Sequence, residues 1–365
     1  YYVVIDRDAV IQEDFAGIYG RAWSFKTKAA PTFAGGEYNV KISHTDVNAD
    51  FYTLQGAIDF CATHVDLDAR KVFQMDNGIY QEIIYLRDQS NITIKGNSGD
   101  NMAVSIQYDN DNSYNGGTGK GTSFDQFAPI GTPVTSGGRS VMTICGKSEH
   151  IRFENVTIEN TNCRYRGFGE ALYIDNESAA FVNCRLIGYQ DTLLPGGGYN
   201  WFYQCYIEGA TDFIWGSGKV VLFEDCELHA PTGTRAVMQA RVKAGYLGYV
   251  FDRCRFTVGA GYQSTLIYQY EPDNLTFLNC TFADTYGQNF VGENKPLVPN
   301  QPTVTEGCKM YGCTNESGAE FYNLIPEAVR ATVRNLNESE FNANFGSREQ
   351  IMSWDSNTDA SWFQE

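Results

Sequence analysis

Three carboxylates recur at a constant interval: Glu170, Asp191 and Asp212 lie 21 residues apart. If the chain folds so that this interval stacks, the three acids line one face, roughly 5 Å from one to the next. Like charges at that distance repel and their pKa values separate, so such a set divides labour, one group ionised as base or nucleophile and another protonated as acid. The residues that follow are apolar and aromatic, Leu193-Leu194 after Asp191 and Phe213-Ile214-Trp215 after Asp212. This favours a cleft over a solvated surface ladder. The histidines at 44, 64, 150 and 229 lie in no nucleophile–base arrangement, and no metal-ligand motif accompanies the acids. No metal and no cofactor is therefore expected. The chemistry open to such carboxylates is glycoside hydrolysis or acyl transfer through a carboxylate nucleophile.

The interval belongs to a repeat. Phe181-Val-Asn-Cys184, Phe202-Tyr-Gln-Cys205 and Phe223-Glu-Asp-Cys226 have cysteines 21 residues apart, and Phe251-Asp-Arg-Cys254 and Phe277-Leu-Asn-Cys280 continue them at intervals of 28 and 26. A constant motif with variable spacing means uniform strands joined by unequal loops. Strands this short bury no face alone, and stacking neighbours solves that. With no helical pattern between them, an all-β parallel β-helix is expected, with the Phe and Cys of each rung pointing inward. Of the ten cysteines, those in the stack are read as mostly free, buried thiols.

Around this core the chain divides into an N-terminal extension, 1–36, expected to pack on the main body, a β-helix at 37–324, and a helical or irregular C-terminal cap at 325–365. Leu54, Ile58, Cys61 and Val65 fall at helical spacing and predict an amphipathic helix within 50–65. That helix and the tail beginning Pro326-Glu-Ala-Val-Arg330 are the candidate caps for the open ends of the sheets. Val72–Met75, Ile83–Leu86 and Ile92–Ile94 read as strands. Residues 108–140 form a long polar excursion; its Asp109–Asn112 cluster reads as a solvated loop, because Tyr114 stands where a helix-loop-helix calcium site needs glycine.

The net charge of −17 argues against nucleic acid, whose binding needs a basic face. It disfavours a polyanion unless that partner's charges are masked. No apolar run approaches the ~20 residues of a membrane span.

Gly78-Ile-Tyr-Gln-Glu82, Gly188-Tyr-Gln-Asp-Thr-Leu193 and Gly209-Ala-Thr-Asp-Phe-Ile-Trp-Gly216 resemble, in order and spacing, the signature segments of pectin methylesterases, carbohydrate esterase family eight. The resemblance runs from about Val40 to Asp284. It implies a right-handed parallel β-helix that hydrolyses the methyl esters of homogalacturonan, a secreted monomeric enzyme without a cofactor. On it Asp212 is the nucleophile, Asp191 the general acid and then base, and Gln190 an oxyanion donor. Phe213, Trp215, Tyr189 and Tyr268 offer faces for sugar rings.

The sequence departs from the family pattern in two places. Glu170 stands where the family has glutamine, and is expected to be protonated, to donate the same hydrogen bond and to shift activity toward acid. The arginine that pairs with the nucleophile is absent from Thr265-Leu-Ile-Tyr-Gln-Tyr270. Arg241, counted from Cys254 as one position off the acid register, is the candidate replacement. Without a replacement the competing class is a pectin-binding β-helix with weak or no catalysis. The motif sets of polygalacturonases and pectate lyases are not found.

Overall fold

The computed structural model describes residues 3–5, 17–19, 21, 23–24, 28–32, 37–111, 137–162, 168–233, 235–243, 245–269, 274–293 and 307–364. Residues 1–35 and 36–365 form two compact units. In the first, Ile5 and Ile18 make an antiparallel bridge and the Val3 N–H donates to the Trp23 carbonyl at 3.0 Å.

Among the described residues of the second unit, the strands form three parallel sheets of eleven, nine and eight strands. One rung shows the path. Ser178–Val182 lies in the eleven-stranded sheet, Arg185–Ile187 in the nine-stranded sheet and Leu193–Pro195 in the eight-stranded sheet, before Tyr199–Tyr203 returns to the first. Every neighbouring pair of strands is in register, with Phe153, Phe181, Phe202, Phe223, Phe251 and Phe277 in one line. Their rings stack at 4.7–5.3 Å, the spacing of the strands that carry them. This is the parallel β-helix the repeat predicts.

The cysteine line also holds. Cys184, Cys205, Cys226, Cys254 and Cys280 are buried free thiols just before the nine-stranded sheet, and Cys313 adds a sixth rung. Cys313 escaped the pattern because Met310 replaces the phenylalanine of its rung. Each cysteine follows a corner residue, and those at Asn183, Gln204, Asp225, Arg253 and Asn279 have φ of 49–54°. The left-handed conformation is what lets the chain turn sharply there, and asparagine and aspartate adopt it at least cost.

The predicted helix is Leu54–His64, capped by the Thr53 side chain and burying Leu54, Ala57, Ile58 and Cys61. Glu82 accepts from the first helical N–H groups, Leu54 at 3.0 Å and Gln55 at 2.9 Å. Tyr80 donates to the carbonyls of Ile42 and Asp76. Two residues of the Gly78–Glu82 motif thus serve the fold at the start of the coil.

The C-terminal segment first extends the eleven-stranded sheet with Arg334–Asn335. It then lies over that sheet's outer face, where Phe345, Ile351, Met352 and Phe363 pack on Ala180, Trp201, Leu222 and Val250. Strands such as Val220–Glu224 are therefore buried on both faces. Glu224 anchors the tail. It accepts from Arg348 Nε at 2.6 Å, Arg253 Nη2 at 2.8 Å and Trp201 Nε1 at 3.0 Å. Burial opposes its charge, but these donors hold its pKa below the ordinary value.

One expectation is corrected. Asn110 and Asp111 are buried, not solvated. Asn110 Nδ2 donates to the carbonyls of Gly138 (3.1 Å) and Ser140 (2.9 Å), and Asn160 Nδ2 donates to those of Asn110 (2.7 Å) and Glu170 (3.1 Å). A buried amide must satisfy its polar atoms, and these two do so by tying together the backbone that carries Arg139 and Glu170. Asn112 and Tyr114 lie outside the described residues.

Candidate active site

The acids sit in the turn between the nine- and eight-stranded sheets. Leu172, Leu193 and Ile214 are consecutive partners in the eight-stranded sheet, which sets Glu170, Asp191 and Asp212 in line two residues earlier on their rungs. Around them the backbone is closely tied. Gln190 and Thr211 form a parallel bridge, the Asp191 N–H donates to Thr211 O at 3.1 Å, and the Asp212 N–H to Ala236 O at 2.8 Å. Asp191 and Asp212 have φ of 67° and 44°, a left-handed conformation that costs a non-glycine residue about 1 kcal/mol or more. Gly169 lies beside them because a Cβ there would come within 2.7 Å of Asn160 Nδ2.

Glu170 is fully buried. Its oxygens accept from Arg139, Nε at 3.0 Å to each and Nη2 at 2.7 Å to Oε1, while the same Nη2 lies 2.9 Å from Asp191 Oδ2. The expected protonated Glu170, donating as a glutamine would, is therefore not what the side chain does. Both of its oxygens are acceptors of an arginine. Burial pushes its pKa up, and Arg139 opposes that. Burial also raises Asp191, to about 7; the charges of Glu170 and Asp212 add to the rise, and Arg139 and Arg241 oppose it.

Asp212 is 8% exposed, and its Oδ1 is buried with no hydrogen-bond partner. Burial raises it to about 6, against the charges of Arg235 first and Arg241 second. Both aspartates are thus raised by burial, and Asp191 also by the carboxylates on either side of it, the asymmetry that lets one act as base or nucleophile while the other holds a proton.

Sequence reasoning missed two arginines. The pairing of Ile214 with Met238 makes Ala236 the ladder position beyond Asp212, so Arg235 is one residue before it. The pairing of Met142 with Leu172 makes Ser140 the position beyond Glu170, so Arg139 is likewise one residue before it. An arginine therefore sits beside each end of the acid ladder. Neither was findable by counting from cysteines, because the intervals lengthen at both ends and Val156 holds the cysteine position on the earlier rung. The same lengthening misled the count for Arg241. It follows Ala240, the partner of Gly216, and is not one position off the acid register. Arg241 is exposed, donates from Nη2 to Gln239 Oε1 at 2.9 Å, and lies 5.2 Å from the Trp215 ring. It reaches Asp212 as a through-space charge.

The aromatic candidates divide. Phe213 is fully buried; it faces the coil interior and offers no ring to a sugar, contrary to the expectation from the sequence. Trp215 is half-buried between the guanidinium groups of Arg139 (5.5 Å) and Arg241, and its indole N–H has no partner. Tyr268 carries the Arg235 guanidinium over its ring at 4.2 Å, at the place where the arginine expected from the resemblance is missing. Tyr189 and Gln190 are half-buried on the Asp191 turn.

Residues 135–257 match the model of the family described as Pectinesterase. That segment includes Arg139, Glu170, Gln190, Asp191, Asp212, Trp215, Arg235 and Arg241. No curated protein matches the chain. Among solved structures it is similar to a pectin methylesterase from carrot, with TM-score 0.69, 18% identity, and 92% of this chain and 98% of that one covered. It is similar also to the pectin methylesterase PemA from Erwinia chrysanthemi (TM-score 0.64, 18% identity, 88% and 98% covered). A pectin methylesterase in complex with hexasaccharide VII gives the same values. At these identities the likeness establishes the fold, a right-handed parallel β-helix.

Proposed function

We propose that this chain, whose residues 135–257 match the Pectinesterase model and whose fold is similar to that of pectin methylesterases, removes methyl groups from homogalacturonan with Asp212 as nucleophile and Asp191 as acid and base. The observation that carries the assignment is the register: Asp191 and Asp212 stand one rung apart in a half-buried turn, with both carboxyls raised by burial and arginine charges beside each.

In this reading Asp212 is the ionised member of the pair and Asp191 the protonated one. An ionised Asp212 oxygen attacks the ester carbonyl, and the oxyanion that forms is met by the Gln190 amide. As the C–OCH3 bond breaks, Asp191 gives its proton to the leaving oxygen, and methanol departs from an acyl-enzyme. Asp191, now ionised, takes a proton from water. The hydroxide equivalent adds to the acyl carbon, the anhydride bond to Asp212 breaks and restores its carboxylate, and the galacturonic acid released gives its proton to solvent. Arg235 and Arg241 take the part of the missing arginine by favouring ionised Asp212. Trp215, Tyr189 and the free face of Tyr268 are the surfaces for sugar rings. A chain of net charge −17 suits a polymer whose carboxylates are masked as esters better than the anionic product. The same reading makes the protein an extracellular monomer acting on cell-wall pectin.

The test is methanol release from highly methylated pectin by the wild type and by Asp212→Asn. Release by the wild type and its loss in the variant supports the assignment. Pectin binding without methanol from the wild type would instead make the protein a binding module.

A further inference from the structure

The fork between Arg139 and Glu170 is more than a core ion pair, because one guanidinium nitrogen also holds Asp191. Nη2 lies 2.7 Å from Glu170 Oε1 and 2.9 Å from Asp191 Oδ2, with Arg139 6% exposed and Glu170 fully buried. An unbalanced arginine this close to a half-buried carboxyl would favour its ionised form and spoil it as a proton donor. A glutamate alone would do the opposite and leave two carboxylates in a buried site. Together the two charges cancel, while the planar fork fixes Oδ2 of Asp191 and leaves Oδ1 to carry the proton.

We propose that Arg139 and Glu170 are a charge-balanced positioning pair that orients Asp191 and keeps it a proton donor near neutral pH. The role assigned to Asp191 rests on the esterase reading; the orientation and the titration do not. The charged groups facing Asp191 are Arg139 and Glu170 from the preceding rungs, Asp212 from the next rung, and Arg241 beyond it. Of these, Arg139 alone is hydrogen-bonded to it at a side-chain oxygen among the described residues.

The Asp191 titration is read directly from the side-chain carboxyl 13C signal of aspartate-labelled protein, assigned by its loss in Asp191→Asn. The expected result is a pair of opposite shifts. Glu170→Gln leaves Arg139 uncompensated and lowers the Asp191 midpoint by about one pH unit or more. Arg139→Gln raises it by a similar amount. In the double variant the two deletions cancel, and the midpoint returns to within about half a unit of wild type. The alkaline limb of kcat/KM for methanol release should follow the same three shifts. Two single variants that shift in the same direction, or not at all, would overturn the proposal. If the single variants do not fold, the double variant decides. A midpoint displaced by more than about one unit refutes the balance, and a midpoint near wild type supports it. Because the titration needs no turnover, a wild type that releases no methanol would refute the esterase reading while leaving the clamp to stand or fall on its own signal.

Discussion

Replacing Asp212 by asparagine should abolish turnover and, at neutral to alkaline pH, make the protein more stable. The carboxyl moves from an ordinary value of 3.8 to about 6 on folding. It is 8% exposed, and one oxygen is buried without a partner. A group raised in this way binds its proton more tightly folded than unfolded. The folded state is therefore penalised for its charge as pH rises from 3.8, and the penalty is complete above about 6. A displacement of about 2.2 units corresponds to about 3 kcal/mol. The amide of the Asp212→Asn variant carries no charge and escapes that penalty. The stability difference, variant minus wild type, should grow by about 2.5 kcal/mol between pH 4 and pH 8, with most of the change before pH 6. At pH 8 the full 3 kcal/mol is about 4 °C in Tm for a chain of this length. Urea unfolding of both proteins at pH 4, 5, 6 and 8, followed by tryptophan fluorescence, measures it. Any constant offset from the amide's own hydrogen bonds drops out of the comparison. A difference that stays flat, or shrinks as pH rises, refutes the reasoning that Asp212 is strained by burial of its charge.

The kcat/KM profile should be bell-shaped and narrow, rising through about 6 as Asp212 ionises and falling through about 7 as Asp191 loses its proton; Arg235→Gln should move the acid limb upward more than Arg241→Gln, because Arg235 opposes the rise of Asp212 more strongly. An unchanged acid limb in both arginine variants would remove them from the electrostatics of Asp212. Phe202 is fully buried, with the rings of Phe181 and Phe223 each 4.9 Å away, so Phe202→Ala should destabilise by about 3–5 kcal/mol, measured by the same unfolding titration; a loss below about 1 kcal/mol would show that the stack can collapse around the gap.

The repeat was legible in the sequence because a β-helix makes the same demand on every rung. A buried ring must sit on a buried ring, and a small thiol fits behind each corner, so Phe-x-x-Cys recurs wherever the loops leave its spacing alone. Where three rungs keep a spacing of 21, the acid register of Glu170, Asp191 and Asp212 follows by counting, and the resemblance to pectin methylesterases adds a role for each. The parallel β-helix and the helix near Leu54 were readable for the same local reasons.

The partners of the acids were decided by tertiary structure. Arg139 reaches Glu170 and Asp191 from a rung whose connecting loops are long and whose cysteine position is held by Val104, followed by Val156 on the next, so no interval in the sequence points to it. Arg235 and Arg241 exchanged significance because the extra residues between Asp212 and Cys254 fall partly before the strand Met238–Ala240 and partly after it, a division that spacing alone does not contain. Burial was equally beyond the sequence. Phe213 and Trp215 flank Ile214 where one strand begins, and only the packed coil turns the first ring inward and leaves the second between two guanidinium groups. Repetition carries information about what every rung shares; the charges that make one rung reactive come from neighbours that share no interval with it.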